Sequence, residues 1–176
     1  MSDPTHMTHR PSGLVLIRRA GHPRQVGAVQ PNYADDPEHS RQLIGGQTEP
    51  GEPPRVAAAR HLLRETGLRL PIGRLMALDN TDARKETGRK TCQNHIYDAG
   101  FLEDGVPIEL PPTAPGKKLP ELARFRWLTL DRRHSDPPGT AYLDQYTQSW
   151  QGQHIRASVD TARAGDLAEL HRGVPG

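Results

Sequence analysis

The sequence is poor in cysteine and in aromatic residues. Cys92 is the only cysteine among the 176 residues, so no disulfide can form within the chain, and this favours a cytoplasmic location. Aromatic residues make up 5% of the chain and hydrophobic residues 34%, which predicts a small core with much of the length in loops and ends. The length itself is typical of one domain.

Long apolar runs and an excess of one charge are also absent from the sequence. No segment approaches the about 20 apolar residues of a membrane-spanning helix, and the first residues lack the basic-then-apolar order of a signal peptide. The 23 Lys and Arg residues nearly balance the 21 Asp and Glu residues, for a net charge of +2. A charge this small predicts neither a nucleic-acid partner nor a membrane partner.

Several catalytic motifs are missing as well. The chain has no Cys-x-x-Cys pair, no phosphate-binding P-loop, no Gly-x-Ser-x-Gly and no His-Glu-x-x-His. Its nine His residues form no tight metal-ligand spacing with Cys92. These absences leave little support for redox, serine-hydrolase or zinc-protease chemistry.

Apolar and turn-forming segments alternate along the chain. Residues 1–12 are expected to form a disordered leader, and residues 13–172 a single domain, with a charged loop at 80–90. The spacing of apolar residues predicts a late helix over 155–170. Short apolar runs predict strands at 13–19, 25–30, 74–79, 92–102, 106–110 and 124–130. Strand, glycine turn, helix and further strands indicate an α/β fold with a mixed sheet.

One helix is predicted from about Pro53 to Gly67. Proline suits a first helical turn, and Glu52 complements the positive end of the helix dipole. Gly67 suits a C-terminal cap, because glycine readily adopts the left-handed conformation that such caps require.

This helix has two faces of different character. At about 100° per residue, His61, Arg64 and Glu65 fall on one face. The apolar residues on the other side are expected to pack against the sheet, and they are Val56, Ala59, Leu62 and Leu63. The polar face is therefore the candidate for chemistry.

The segment that contains this helix carries a spaced motif. It reads Gly46, five residues, Glu52, seven residues, then Arg60-His-Leu-Leu-Arg-Glu-Thr-Gly-Leu68. This pattern resembles the Nudix box, which reads Gly, five residues, Glu, seven residues, Arg-Glu-U-x-Glu-Glu-x-Gly-U, where U is a bulky aliphatic residue. His61 and Arg64 stand where the family has Glu. The resemblance implies a Nudix-like α/β/α sandwich in which the box forms a loop-helix-loop.

The resemblance also implies an activity, namely hydrolysis of a diphosphate-containing or phosphorylated small molecule. It implies Mg²⁺ or Mn²⁺ as the cofactor, and Mg²⁺ is a hard cation that prefers the oxygen ligands a cluster of Glu supplies. Carried over position by position, the catalytic residues would be His61, Glu65, Arg60 and Glu52. Substrate would contact Arg64 and Gly46, and the metal would be held by Glu65 together with Glu121.

Other residues could supply the carboxylates that are lost at His61 and Arg64. Glu121 lies six positions before Trp127, in a loop from which some Nudix enzymes recruit a carboxylate, and Asp98 could point inward from a strand. His61 is interpreted either as a base or borderline ligand, or as a surface residue hydrogen-bonded to Glu65. Arg64 cannot be a metal ligand, because its guanidinium has no acceptor; it would grip a phosphate or extend into solvent.

Three hypotheses follow for the function. The first is a Nudix-type hydrolase with an atypical active site. The second is a catalytically silent Nudix-fold module that binds a ligand or regulates. The third is a Nudix enzyme repurposed for a non-hydrolytic biosynthetic step. The resemblance leaves a homodimer open as the oligomeric state.

Overall fold

A computed structural model describes residues 10–33, 41–81, 91–143, 156, 160 and 168–172. It contains a mixed sheet and a 13-residue helix. In chain order the elements are β1 (Arg10–Arg19), β2 (His22–Pro31), β3 (Ile44–Gln47), α1 (Pro54–Thr66), β4 (Leu75–Thr81), β5 (Cys92–Leu102), β6 (Leu122–Thr129) and β7 (Ala168–Arg172). The predicted α/β class with a mixed sheet is confirmed.

Strand β1 lies at the centre of the sheet, whose order is β6-β2-β1-β5-β4-β7. One edge of β1 pairs with β5 in parallel, and the other edge is shared between β2 and the short strand β3. The β3 pairing sets Gly13 opposite Gly46 and Val15 opposite Ile44. Because β3 leads into α1, the loop before the helix is fixed against the middle of the sheet.

Apolar side chains cover both faces of the sheet. Successive residues of β1 alternate between two core clusters, as the two-residue period of a strand requires: Leu16 belongs to one, and Val15 and Ile17 belong to the other. The second cluster also contains Ala58 and Leu62 of α1. The helix therefore packs on the Val15 face, and this places the box beside the sheet centre.

Most of the predicted strands match observed ones, and β5 has the predicted limits of 92 and 102. The strand predicted at 106–110 is wrong: this segment is a loop, in which the Glu109 N–H donates to Thr66 O over 2.9 Å at the end of α1. A short apolar run forms a strand only where a free sheet edge is available, and here the end of the helix supplies the partner.

The ends of the chain differ from expectation where the structure describes them. Residues 1–9 of the expected leader lie outside the described residues, and 10–12 belong to β1. The late helix predicted at 155–170 is wrong at its end, because 168–170 lie in β7, which pairs in parallel with β4. Arg156 and Asp160 are helical. The rest of 155–167, and residues 82–90 of the expected charged loop, lie outside the described residues. Within the described part, no helix has the length and apolarity to cross a membrane.

Candidate active site

Helix α1 begins and ends where local chemistry predicts. Pro53 takes the N-cap position and Pro54 the first turn, where a missing N–H costs no hydrogen bond. Gly67 caps the other end with φ of 71°, and its N–H donates to Leu63 O over 2.9 Å. These bounds lie within one residue of the predicted ones.

The buried face of α1 differs from the predicted one. Val56 is 52% exposed and Leu63 36% exposed, and Ala59 is also exposed, so the expected apolar packing face is wrong except at Leu62. The buried residues are Ala57, Ala58, His61, Leu62, Glu65 and Thr66. Polar side chains occupy much of this face because each has hydrogen-bond partners, which removes the main cost of burying them.

Glu52 and Arg60 form a paired brace at the start of the helix. Arg60 donates from Nε and Nη2 to the two carboxylate oxygens of Glu52, at 2.8 and 2.6 Å. The Glu49 N–H also donates to Glu52. Hydrogen bonding from Arg60, followed by that from the Glu49 backbone, lowers the pKa of the Glu52 carboxyl to about 2. The brace holds the loop between β3 and α1 in a fixed shape, as a bidentate Arg–carboxylate pair does well.

His61 is buried and uses both ring nitrogens. Nε2 lies 3.1 Å from the Gln47 carbonyl oxygen, which can only accept, so Nε2 carries a hydrogen and donates. Nδ1 lies 2.9 Å from Glu65 Oε1. The ring also packs on Gly46, where any Cβ would meet it at 2.6 Å. The hydrogen bond between His61 and Glu65 is observed, but the interpretation of His61 as a surface residue is wrong because the side chain is buried. A role as base or borderline metal ligand stays a prediction.

Glu65 is the one carboxylate that remains of the box cluster, and it is 2% exposed. Oε1 lies 2.9 Å from His61 Nδ1 and accepts from Arg64 Nη2 over 2.9 Å, and Oε2 accepts from the Gly45 N–H at 3.3 Å. Both oxygens are therefore engaged by protein donors. A buried carboxylate needs such partners, because an unpaired charge in this position would be costly.

The residues that would hold a metal ion do not fit one in this arrangement. Arg64 Nη2 lies 2.9 Å from Glu65 and 3.7 Å from Glu121, so a guanidinium stands between the two expected ligands. Mg²⁺ takes several oxygen ligands at about 2.0 to 2.1 Å. Among the residues that the structure describes, no three His, Cys, Asp or Glu side chains form a group able to hold a metal ion.

Asp98 lies in β5 and is paired with Arg18, not with the residues of the box. Its carboxylate accepts from Arg18 Nη2 over 2.7 and 2.9 Å and from the Gly100 N–H over 2.8 Å. The guanidinium of Arg18 in turn lies over the ring of Phe101, 4.1 Å from its centroid. Asp98 thus belongs to an ion pair at the β1–β5 edge, and the structure does not bring it to Glu65.

A pocket of about 640 Å³ lies beside Arg64 and Glu121. Its other walls could not be predicted from the sequence, because the segment 111–120 is rich in proline and carries no motif. The lining residues are Asn32, Tyr33, Arg64, Pro111, Pro112, Ala114, Lys117, Lys118, Leu119, Pro120 and Glu121. Two neighbouring lysines in a proline-rich loop were the only signal that could have indicated this wall.

Asn32 fixes this loop to the end of β2. Its Nδ2 donates to Pro120 O over 2.7 Å, and its N–H donates to Glu121 O over 2.9 Å. Tyr33 is 63% exposed, and its hydroxyl hydrogen-bonds Gln42. The pocket is therefore bounded by fixed backbone on one side and by the polar end of α1 on the other.

The fold is similar to that of several solved structures. The E. coli dihydroneopterin triphosphate pyrophosphohydrolase has a TM-score of 0.61 and 15% identity, covering 90% of this chain and 99% of that chain. The MutT protein from Methanosarcina mazei Go1 has a TM-score of 0.60 and 15% identity, covering 90% and 96%. An ADP-ribose pyrophosphatase from Streptococcus suis 89-1591 has a TM-score of 0.57 and 16% identity, covering 94% and 100%. At such identities the similarity shows the fold alone, and it confirms the predicted Nudix-like architecture.

Sequence comparison gives a separate result. None of the curated protein sequences is significantly similar to this chain. The profile of the NUDIX domain matches residues 7–149, which include every element from β1 to β6 and the whole box. The chain therefore belongs to the NUDIX domain family.

Proposed function

We propose that the chain is a Nudix-type hydrolase that acts on a small molecule containing a diphosphate group, in the cytoplasm. The observation that carries this proposal is the position of Arg64. This residue contacts Glu65 of the box and also lines the neighbouring pocket. A phosphate bound by Arg64 would thus lie next to the carboxylate that remains at the family's catalytic face.

The size and lining of the pocket suit such a substrate. A volume of about 640 Å³ lies within the range of about 300 to 1,000 Å³ that small-molecule sites occupy. Arg64, Lys117 and Lys118 supply three positive charges, and guanidinium and ammonium groups bind phosphate oxygens well. Glu121 supplies one negative charge at the rim. The proposed partner is accordingly a phosphorylated small molecule, with no role for nucleic acid or membrane.

The chain's own residues divide the work of this reaction between them. Arg64 would bind the phosphate group and orient it, while the brace of Glu52 and Arg60 keeps the loop before α1 in place. His61 and Glu65 would hold a proton and transfer it during the reaction. One hydrogen must lie between Nδ1 and Oε1 for these two atoms to bond at 2.9 Å. Gly46 leaves the room that His61 needs.

A substrate screen tests the proposal. The purified protein is incubated with ADP-ribose, dihydroneopterin triphosphate and inorganic pyrophosphate, with and without Mg²⁺ or Mn²⁺, and products are followed by phosphorus NMR. The first two are the compounds named for the pyrophosphatases of similar fold. We expect cleavage of at least one diphosphate bond, with a clear loss of kcat in His61→Ala. No cleavage of any diphosphate under any of these conditions would overturn the proposal.

A second candidate is a ligand-binding module without turnover, and the surroundings of Glu65 favour it. Both oxygens of this carboxylate already accept hydrogen bonds from the protein, and at 2% exposure the side chain offers little access to an attacking water. This candidate predicts that diphosphates bind the pocket and leave unchanged. Binding by calorimetry combined with unaltered phosphorus spectra would support it over the hydrolase.

A further inference from the structure

We propose that the Arg64 guanidinium takes the place of the divalent cation, so that this site binds a diphosphate group without Mg²⁺ or Mn²⁺. The ligand class is a phosphate or diphosphate joined to a planar or apolar organic group. This inference rests on the proposed function for the location of the site, but it concerns binding and not cleavage.

The first observation is the charge that lies between the carboxylates. Arg64 Nη2 lies 2.9 Å from Glu65 Oε1 and 3.7 Å from Glu121 Oε2. A dication placed among these oxygens would face the guanidinium at close range, where like charges repel strongly. Because a guanidinium keeps its proton at any ordinary pH, this position carries a permanent positive charge.

The second observation is that two nitrogens of the Arg64 guanidinium donate no hydrogen bond to the described residues. Its described contacts all use Nη2, so Nε and Nη1 make no hydrogen bond within the described residues. The side chain is 46% exposed and lines the pocket. A guanidinium can therefore remain paired with Glu65 through Nη2 and still offer the N–H groups of Nε and Nη1 to phosphate oxygens.

Lys117 and Lys118 provide the third observation. Both line the pocket and both are exposed. Within the part of the chain that the structure describes, neither has an ion-pair partner. With Arg64, these side chains set three cations against the carboxylates of Glu121 and Glu65, which leaves an excess of one positive charge. This positive excess performs the neutralisation that a bound metal provides elsewhere in the family.

The remaining wall indicates what is attached to the phosphate. Tyr33 presents its ring at 63% exposure, and Leu119 is also 63% exposed. Pro111 and Pro112 line the same pocket. The Tyr33 ring, Leu119 and the two prolines can hold a planar or apolar group by van der Waals contact. They offer few hydrogen bonds, so they would discriminate little between one nucleobase and another.

Calorimetry and electron paramagnetic resonance test the inference on the whole chain. By calorimetry, inorganic pyrophosphate and ADP are titrated into the protein in EDTA. In a separate experiment without EDTA, Mn²⁺ is titrated into the protein, and the electron paramagnetic resonance signal of free Mn²⁺ is measured. We expect wild-type protein to bind both anions in EDTA, with ADP the tighter, and to leave the Mn²⁺ signal unchanged. We expect Arg64→Gln to weaken pyrophosphate binding by about tenfold or more, since a charged hydrogen bond is lost.

Two further variants sharpen the test. Arg69→Gln is the matched control, because Arg69 is an exposed arginine that lines a different cavity, and it should bind pyrophosphate like the wild type. The double variant His61→Glu with Arg64→Glu should gain Mn²⁺ binding and lose pyrophosphate binding in EDTA. Arg64→Gln alone decides the matter if the double variant does not fold, because the Arg64 side chain is nearly half exposed.

The outcomes separate this inference from the proposed hydrolysis. Mn²⁺ binding by wild-type protein, with pyrophosphate binding only in its presence, would overturn the inference and leave hydrolysis intact. Pyrophosphate binding in EDTA, with no turnover either in EDTA or in the presence of Mg²⁺ or Mn²⁺, would support the inference and overturn hydrolysis. Equal pyrophosphate affinity in wild-type protein and Arg64→Gln would also overturn the inference.

Discussion

The His61 imidazole packs against the backbone of Gly46, so closely that a Cβ at Gly46 would lie 2.6 Å from Cε1 and 2.9 Å from Nε2. Both residues belong to the box, and the contact explains in part why glycine is needed at its first position. The ring is also hydrogen-bonded to Glu65 and to the Gln47 carbonyl, so it has little freedom to move away.

Gly46→Ala should therefore destabilise the protein by about 1 to 3 kcal/mol, the usual cost of overpacking a filled site. The measurement is urea unfolding followed by circular dichroism. The same substitution is made in a His61→Ala background, where the ring is absent and the added methyl group has room. We expect the cost of Gly46→Ala to fall to near zero there. An equal cost in both backgrounds would show that the contact with His61 is not its cause.

A pair of neighbouring leucines tests how α1 is turned against the sheet. Leu62 is 1% exposed and belongs to the core, whereas Leu63 is 36% exposed. Leu62→Ala should lower the free energy of unfolding by about 2 to 5 kcal/mol, since it removes buried methyl groups and leaves a cavity. Leu63→Ala should cost less than about 1 kcal/mol. The two variants serve as controls for each other, and the reverse order would contradict the buried face described for α1.

This pair also shows what the sequence could predict of the site and what it could not. The ends of α1 could be predicted to within one residue, because proline and glycine act through their own backbones at positions 54 and 67. Which face of α1 is buried could not be predicted, because hydrophobicity placed Leu63 against the sheet and Glu65 on the opposite, polar face. Burial of Glu65 depends on hydrogen-bond partners at Gly45, His61 and Arg64, which only the folded chain brings together.

The same distinction holds for the strands. The limits of β5 could be predicted because the segment carries Ile96, Tyr97 and Phe101, residues of the β-branched and aromatic kinds that favour strands. Strand β7 could not be predicted, because it forms by pairing with β4, where Leu170 lies opposite Asp79. A local sequence pattern does not indicate a pairing partner so distant in the chain. The pocket walls at Asn32 and Lys117 were missed for the same reason: they meet only because the 111–120 loop returns to the end of β2.

The pH dependence of stability should reflect the brace between Glu52 and Arg60. The pKa of the Glu52 carboxyl falls from its ordinary value of 4.5 to about 2 in the folded chain. Because this folded pKa is depressed, the brace stabilises fully above about pH 4.5, and its contribution is lost as the pH falls toward 2. Urea unfolding between pH 6 and about pH 3 should show stability declining over this window.

Glu52→Gln should remove that part of the decline, because the amide does not titrate. It should also lower stability at pH 6, where the ion pair is complete in the wild type. Glu103→Gln is the control: Glu103 is exposed and has no ion pair among the described residues, so its pH profile should follow the wild type. A Glu52→Gln profile parallel to that of the wild type would contradict a stabilising role for the brace.

Asn32 should govern how well the pocket binds its ligand, because it ties the 111–120 loop to the sheet. Asn32→Ala removes the hydrogen bond from Nδ2 to Pro120 O, at 2.7 Å, but leaves the backbone bond to Glu121 in place. A neutral hydrogen bond contributes about 0.5 to 1.5 kcal/mol, so the affinity for inorganic pyrophosphate should fall by about two- to tenfold. Asn80→Ala is the matched control, since Asn80 accepts from Gln93 over 2.9 Å in β4, away from the pocket. Both variants should lose similar thermal stability, and only Asn32→Ala should lose affinity. Equal affinity in the two would mean that the loop keeps its place without Asn32 and that the pocket is shaped by its prolines alone.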